Sequence, residues 1–253
     1  MPNKKYENIH PKSRPAEPCI AIIKLSTQGR GNEALSIYLK LLDDGGFPSS
    51  EAQYQLTRSL YKSSNLLGMH ALHDTLISYY KTHTLSRRSG RNLIYMYTML
   101  INLICKNTKP VDMNSITHLC KEMADLELDG SIPLYNTLIK LFLDRNQLED
   151  AKSIYNDLLK KGMEPSKETF GILMHYAAKK KDIPQLILYL DEMDRYGIEP
   201  DYATMTVIII ALCKTKNIDT AKQLLEDLHS LYAFVNDDYK NTLLKKIERR
   251  LKK

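Results

Sequence analysis

"LYNTLIKLFLDRNQLEDAKSIYNDLLKKGMEPS" (Leu134 to Ser166) is followed closely by "TFGILMHYAAKKKDIPQLILYLDEMDRYGIEPD" (Thr169 to Asp201). The second stretch repeats the pattern of the first 35 residues further on, in different letters. Each copy reads as two helices. Tyr135, Leu138, Ile139 and Phe142 fall at helical spacing, "DRNQLED" interrupts them, and Ala151, Tyr155 and Leu158 share one face of a second helix. Gly162 is placed to stop that helix and Pro165 to prevent its resumption. A helix pair exposes an apolar face it cannot bury alone, so copies must stack.

The 35-residue frame extends along the chain as six units, 15–49, 50–93, 94–131, 132–166, 167–201 and 202–236. A polar extension (1–14) precedes them and a basic amphipathic helix (237–253) is expected to cap the array. The twentieth, twenty-fourth and twenty-seventh places run Ala34, Tyr38, Leu41; Met69, His73, Leu76; Ile116, Cys120, Met123. They continue Ala151, Tyr155, Leu158; Leu186, Leu190, Met193; Ala221, Leu225, Leu228. Small or apolar residues fill 17 of these 18 places, which excludes an accidental frame. The third unit gains three residues around "NTKPVDMNS" and the second gains nine in "YYKTHTLSRRSGRN". The Ser/Arg insertion, with "RRSGR" at 87–91, is read either as a disordered bulge or as an added phosphate clamp. The expected fold is all-α, about thirteen helices in one superhelix.

Bulk properties narrow the function. Hydrophobic residues make up 43% of the 253, enough for a folded chain. The longest apolar run, Met205 to Cys213, is too short to cross a bilayer. Cys19, Cys105, Cys120 and Cys213 form no C-x-x-C pair and read as small buried hydrophobes. The net charge of +6 sits at the ends: 1–14 carry +3, 237–253 carry +4, and the body is nearly neutral at −1. The N-terminal stretch has no signal-peptide core and no Arg-rich transit pattern. Either a targeting segment has been removed, or the protein stays where it is made.

"PLYNTLIKLFLDRNQLEDAKSIYNDLLKKGMEPS" (Pro133 to Ser166) closely resembles the pentatricopeptide repeat, a 35-residue helical hairpin. "MYTMLINLICK" (Met96 to Lys106) and "TMTVIIIALCKTKNIDTAKQLLEDL" (Thr204 to Leu228) look like the same module. The likeness is fullest over 94–236 and thinner over 15–49 and 50–93. The tetratricopeptide alternative has a 34-residue period and a tryptophan signature, and this chain has no Trp.

The resemblance implies a right-handed α-solenoid that binds single-stranded RNA, one base per repeat. In this family the fifth and last residues of each repeat read the base. Here those pairs are Cys19/Ser49, Tyr54/Thr84, Thr98/Ser131, Asn136/Ser166, Gly171/Asp201 and Thr206/Asn236. By the family's code Asn136/Ser166 resembles a cytosine reader, Thr206/Asn236 an adenine reader and Thr98/Ser131 a purine reader, so the readable core is purine-C-x-A. Gly171 has no side chain to read with, and Cys19 and Tyr54 are off-pattern. The second place flanks the base in the family; Tyr95 and Pro133 offer a face there, whereas Glu51 and Glu168 are acids.

Charge on faces is a separate argument. In the last three repeats the first helices carry +4 and the second helices −4. A basic face on one set of helices is what a backbone-tracking site needs. Lys179, Lys180 and Lys181 end one first helix, and Lys214 and Lys216 end the next; with Lys106, Arg87 and Arg88 they are the expected phosphate contacts.

Other candidates read as structural. His70 and His73 with Asp74 are read as packing or rim residues rather than metal ligands. Asp191 and Glu192 read as a solvated face. No phosphate-binding loop, nucleophile elbow or deaminase signature is present. Some relatives append nuclease or deaminase domains, and 17 residues after the last repeat are too few for either. The expectation is a non-enzymatic protein needing no cofactor, metal, small-molecule substrate or membrane. Its expected partner is single-stranded RNA, acting in RNA processing, stability or translation. The alternative is a protein-binding scaffold in a ribonucleoprotein, ribosome or bacterial effector role. The family implies a mitochondrial or other organellar location; a bacterial cytoplasmic or host-delivered protein is the alternative.

Overall fold

The computed structural model describes residues 17–215, 217 and 219–224. All regular structure among them is helical. The chain divides between Ser131 and Ile132 into two compact units. The first holds α1 (Glu17–Thr27), α2 (Gly31–Asp43), α3 (Ser50–Lys62), α4 (Leu66–Tyr80), α5 (Arg87–Asn107) and α6 (Met113–Asp125). The second holds α7 (Ile132–Asp144), α8 (Leu148–Lys160), α9 (Lys167–Lys180), α10 (Ile183–Arg195) and α11 (Tyr202–Lys214), and residues 219–224 are also helical. The polar extension 1–14, Asn236 and the capping segment 237–253 lie outside the described residues.

Within each unit the first helices of successive hairpins pack side by side. In one unit α1 meets α3 and α3 meets α5; in the other α7 meets α9 and α9 meets α11. The inward places of the second helices behave as their spacing requires. Ala34, Tyr38, Met69, His73, Leu76, Ile116, Met123, Ala151, Tyr155, Leu158, Leu186, Met193 and Ala221 are buried, and Leu41, Cys120 and Leu190 are half-buried. In α10 the neighbouring Tyr189 takes the buried position that Leu190 leaves.

Two left-handed residues punctuate most hairpins. Between first and second helix stand Gly29, Ser64, Asn146 and Lys181, with φ of 79°, 54°, 59° and 60°. After the second helix stand Gly45, Glu127, Gly162 and Gly197, with φ of 76°, 53°, 69° and 63°. Glycine adopts this region without a Cβ clash, and its amide then closes the helix end. Gly162 N donates to Leu159 O at 2.9 Å and Met163 N to Leu158 O at 3.2 Å, so Gly162 is the stop its position suggested. Pro184 lies in the first turn of α10, where a missing N–H costs nothing.

Arg87 to Arg91 of the Ser/Arg insertion are helical, not a disordered bulge. Ser86 caps the helix, its Oγ accepting from Ser89 N at 3.1 Å, and α5 runs 21 residues from Arg87, across the 93/94 frame boundary. The reason is the small size of Ser89 and Gly90: with Leu93 they are buried, so the packed face extends upstream of the expected start. Asn92 Nδ2 donates to Ser50 O at 2.6 Å and ties the extension to the start of α3.

The acids of the second helices are not all solvated. Tyr38 Oη and Thr75 Oγ1 are 2.7 Å apart, His73 Nε2 is 2.8 Å from Glu122 Oε2, and Tyr155 Oη donates to Glu192 Oε2 at 3.1 Å. Each joins the twenty-fourth place of one repeat to the twenty-sixth of the next. Tyrosines at the fourth place reach the twenty-sixth of their own repeat: Tyr97 Oη donates to Glu122 Oε2 at 2.9 Å, and Tyr135 Oη to Asp157 Oδ2 at 2.7 Å. Glu192 therefore stitches adjacent hairpins, which corrects its reading as a solvated residue. His73 is buried at 6% exposure and held by Asp74 and Glu122, a polar junction rather than simple packing.

Candidate nucleic-acid interface

The last residue of a repeat lies where the chain enters the next first helix, and this places it beside the fifth residue of its own repeat. Ser49, Ser166 and Asp201 are N-caps of α3, α9 and α11. Ser49 N donates to Cys19 Sγ at 3.4 Å, Thr98 Oγ1 is 3.4 Å from Ser131 Oγ, and Asn136 Nδ2 donates to Ser166 Oγ at 3.4 Å. Three of the pairs are thus brought together. Tyr54 instead turns to Tyr95, ring centroids 5.0 Å apart. Thr206 Oγ1 donates to Tyr202 O at 2.7 Å, and its expected partner Asn236 lies outside the described residues.

Two expected readers are deeply placed. Thr98 and Asn136 are each 2% exposed. Thr98 Oγ1 donates to Ile94 O at 2.7 Å, and Asn136 Oδ1 accepts from Thr169 Oγ1 at 2.7 Å. Thr169 belongs to a capping box with Ser166, whose Oγ accepts from Thr169 N at 3.3 Å. The Ser-x-x-Thr spacing that builds this box was visible in the sequence; its third use, on Asn136, was not. Asp201 accepts from Thr204 N at 2.9 Å and Thr204 Oγ1 at 2.8 Å. The Thr204 backbone bond, more than offsetting partial burial, holds its carboxyl below the usual range.

The flanking candidates differ. Pro133 is exposed in the first turn of α7, while Tyr95 is half-buried against Tyr54. Nearby Tyr61 Oη donates to Asn102 Oδ1 at 2.9 Å and accepts from Lys106 Nζ at 2.7 Å, with that ammonium 4.8 Å from the Tyr61 ring centre. Lys106 is therefore partly committed to an aromatic cluster that single-residue reasoning missed.

Four of the five lysines of the expected basic ladder lie among the described residues. Lys179 lines a cleft of about 400 Å³ between α7 and α9, together with Lys140, Glu168 and Gly171. Lys180 Nζ lies 5.5 Å from the Tyr176 ring centre, and Lys181 occupies the left-handed C-cap. Lys214 is the exposed last residue of α11, and Lys216 is outside the described residues. Arg87 and Arg88 are exposed in the first turn of α5, where Arg88 Nη2 is 3.4 Å from Glu51 Oε2. Among the described residues no cluster of His, Cys, Asp or Glu is arranged to hold a metal, and no helix is long and apolar enough to cross a membrane.

Known proteins match this geometry. The PPR repeat family model covers residues 131–179, and a pentatricopeptide repeat-containing protein model covers 157–248. A pentatricopeptide repeat-containing protein of Arabidopsis thaliana is 25% identical over 142 residues, 56% of this chain and 30% of the relative. The Arabidopsis small ribosomal subunit protein mL103 is 22% identical over 132 residues, 52% of this chain and 31% of the relative. The chain thus spans about a third of the length of these relatives. Other matched relatives carry mitochondrial or chloroplastic names. Maize PPR10 in complex with an 18-nt psaJ RNA element has a TM-score of 0.62 at 17% identity, over 84% of this chain and 30% of that one. The PPR domain of Arabidopsis protein-only RNase P 1 in complex with tRNA has a TM-score of 0.60 at 17% identity, over 81% of this chain and all of that one. With the 35-residue hairpins, the left-handed turns and the paired fifth and last places, these likenesses identify the chain as a member of the pentatricopeptide repeat family.

Proposed function

We propose that the chain binds single-stranded RNA without catalysis, one base per repeat, and acts in an organelle on RNA processing, stability or translation. The observation that carries this is the pairing of fifth and last residues at Cys19/Ser49, Thr98/Ser131 and Asn136/Ser166. At Thr98/Ser131 and Asn136/Ser166 two short polar side chains stand side by side at the same two places. The lysines lining the α7/α9 cleft supply the sequence-independent attraction to phosphate. A second reading, a scaffold in a ribosomal or other ribonucleoprotein assembly, is favoured by the burial of Thr98 and Asn136 and by the matched ribosomal relative.

Ser166→Asp tests base reading directly. Aspartate is as good an N-cap as serine, so α9 is kept. It also replaces the hydroxyl beside Asn136 Nδ2 with a charged acceptor. The fourth repeat's preference moves from cytosine toward uracil, by about 1–3 kcal/mol of discrimination. Competition between RNAs differing at that one base reads the shift. Identical competition by both RNAs in wild type and variant means the groove does not read bases.

A further inference from the structure

A pocket at the first hairpin has no apolar wall and no acid in its lining. It measures about 420 Å³ and lies between the α1–α2 turn and the C-terminal half of α3. Ser26 and Thr27 line it from the turn, and Gln55, Arg58, Ser59 and Lys62 from α3. Small-molecule sites are ordinarily apolar with a few polar groups, so this lining suits a small, strongly polar ligand.

Its charge has one sign. Arg58 and Lys62 are exposed, and neither pairs with a carboxylate among the described residues. The carbonyls that end α1 and α3 are already occupied. Gly29 N donates to Ser26 O at 3.1 Å, Arg30 N to Leu25 O at 3.0 Å, Ser63 N to Ser59 O at 3.0 Å and Asn65 N to Leu60 O at 3.0 Å. The start of α2 abuts the same place: a Cβ at Gly31 would stand 2.9 Å from Ser59 Oγ. Arg30, its N-cap, makes no side-chain cap bond, so the positive end of α2 is left uncapped.

Two hydroxyls add an independent sign of a ligand. Ser26 is 6% exposed and Ser59 3%, and neither Oγ has a hydrogen-bond partner among the described residues. A buried polar group without a partner costs stability, and a serine hydroxyl rotates about one bond to meet an acceptor.

We infer that this pocket binds a terminal phosphate, a monoester carried by a free nucleotide or by an RNA end. A monoester brings nearly two negative charges and three strong acceptor oxygens to two cations and two unsatisfied hydroxyls. A backbone diester brings one charge and fewer free oxygens. The pocket also has room for the sugar that bears the phosphate. The site uses none of the paired fifth and last residues and stands apart from base reading.

The test is calorimetric titration of the full chain with uridine 5′-monophosphate, with uridine and dimethyl phosphate as controls. Anisotropy then compares one oligouridylate ending in a 5′-phosphate, a 3′-phosphate or hydroxyls only. Wild type binds the monophosphate and neither control. A gain of about tenfold for a phosphate-ended RNA, the scale of one charge-assisted hydrogen bond, assigns the ligand to an RNA end. Binding of the monophosphate without that gain assigns it to a free nucleotide. The double variant Arg58→Gln, Lys62→Gln loses the binding. Ser26→Ala and Ser59→Ala each weaken it about tenfold, yet their unliganded melting temperatures stay equal or rise, since each removes a donor that has no partner. The site is overturned, and RNA binding left standing, by a wild type that answers neither to the monophosphate nor to phosphate ends. Equal binding of dimethyl phosphate, or full binding by the folded double variant, overturns it as well.

Discussion

Phe170→Ala is expected to lower the unfolding free energy by about 3–5 kcal/mol. Phe170 is fully buried in the core shared by α7, α8, α9, α10 and α11, among Ile139, Tyr155, Leu186, Met193 and Ile209. Its ring also approaches Tyr196, centroids 6.2 Å apart. Removing it leaves a cavity in the core that the hairpins of this unit share. In a stack of repeats each hairpin is stabilised by its neighbours, so the loss spreads beyond α9. Urea denaturation measures the total, and amide exchange shows whether α7 and α11 loosen with α9. A loss below about 1 kcal/mol, far short of a buried aromatic's usual contribution, would mean that the hairpins do not share a core.

Glu122→Gln is expected to cost about 1–3 kcal/mol and to remove part of the acid sensitivity of the first unit. One carboxylate oxygen serves Tyr97 and His73, and the other lies 3.5 Å from Lys81 Nζ, with the Glu122 side chain 11% exposed. The amide keeps the shape but turns one acceptor into a donor facing a cation. Burial pushes the Glu122 carboxyl up, but the Tyr97 hydrogen bond, the charge and hydrogen bond of His73 and the charge of Lys81 together hold it below the usual carboxylate range. A depressed native pKa means the native state favours the ionised form. The stabilisation is therefore complete above the unfolded carboxylate value of about 4.3 and is lost as pH falls through the native value. Melting temperatures at pH 7 and pH 3.5 should differ less in the variant than in wild type. An equal difference in both proteins assigns the acid sensitivity to other groups.

What the sequence revealed follows from how each signal is encoded. The hairpin frame was legible because apolar spacing is local and repeats six times over 15–236, with Gly45, Gly162 and Gly197 ending three of the second helices. The extra turns of α5 were not. "RRSGRN" is polar in letters, yet Ser89 and Gly90 are small enough to be buried, and burial of small residues leaves no hydrophobic mark. The stitching bonds were hidden for another reason. Tyr155 and Glu192 are 37 residues apart, and only the stack brings them within 3.1 Å. Gly171 was legible as a missing reader but not as an opening, because a cleft depends on Lys140 and Asp144 from the preceding hairpin.

The most direct measurement is the salt dependence of RNA affinity in a Lys140→Gln, Lys179→Gln, Lys214→Gln triple variant. All three lysines are exposed on α7, α9 and α11, and two line the cleft. If they meet a single-stranded phosphate backbone, each lost contact lowers the slope of log K against log salt by roughly 0.7. The triple variant should therefore lose up to about 2 in slope and bind every sequence more weakly by a similar factor, with the preference at Asn136 and Ser166 intact. A variant that keeps the helical content of the wild type but shows unchanged affinity and slope contradicts an RNA-binding face and assigns these helices to a protein partner.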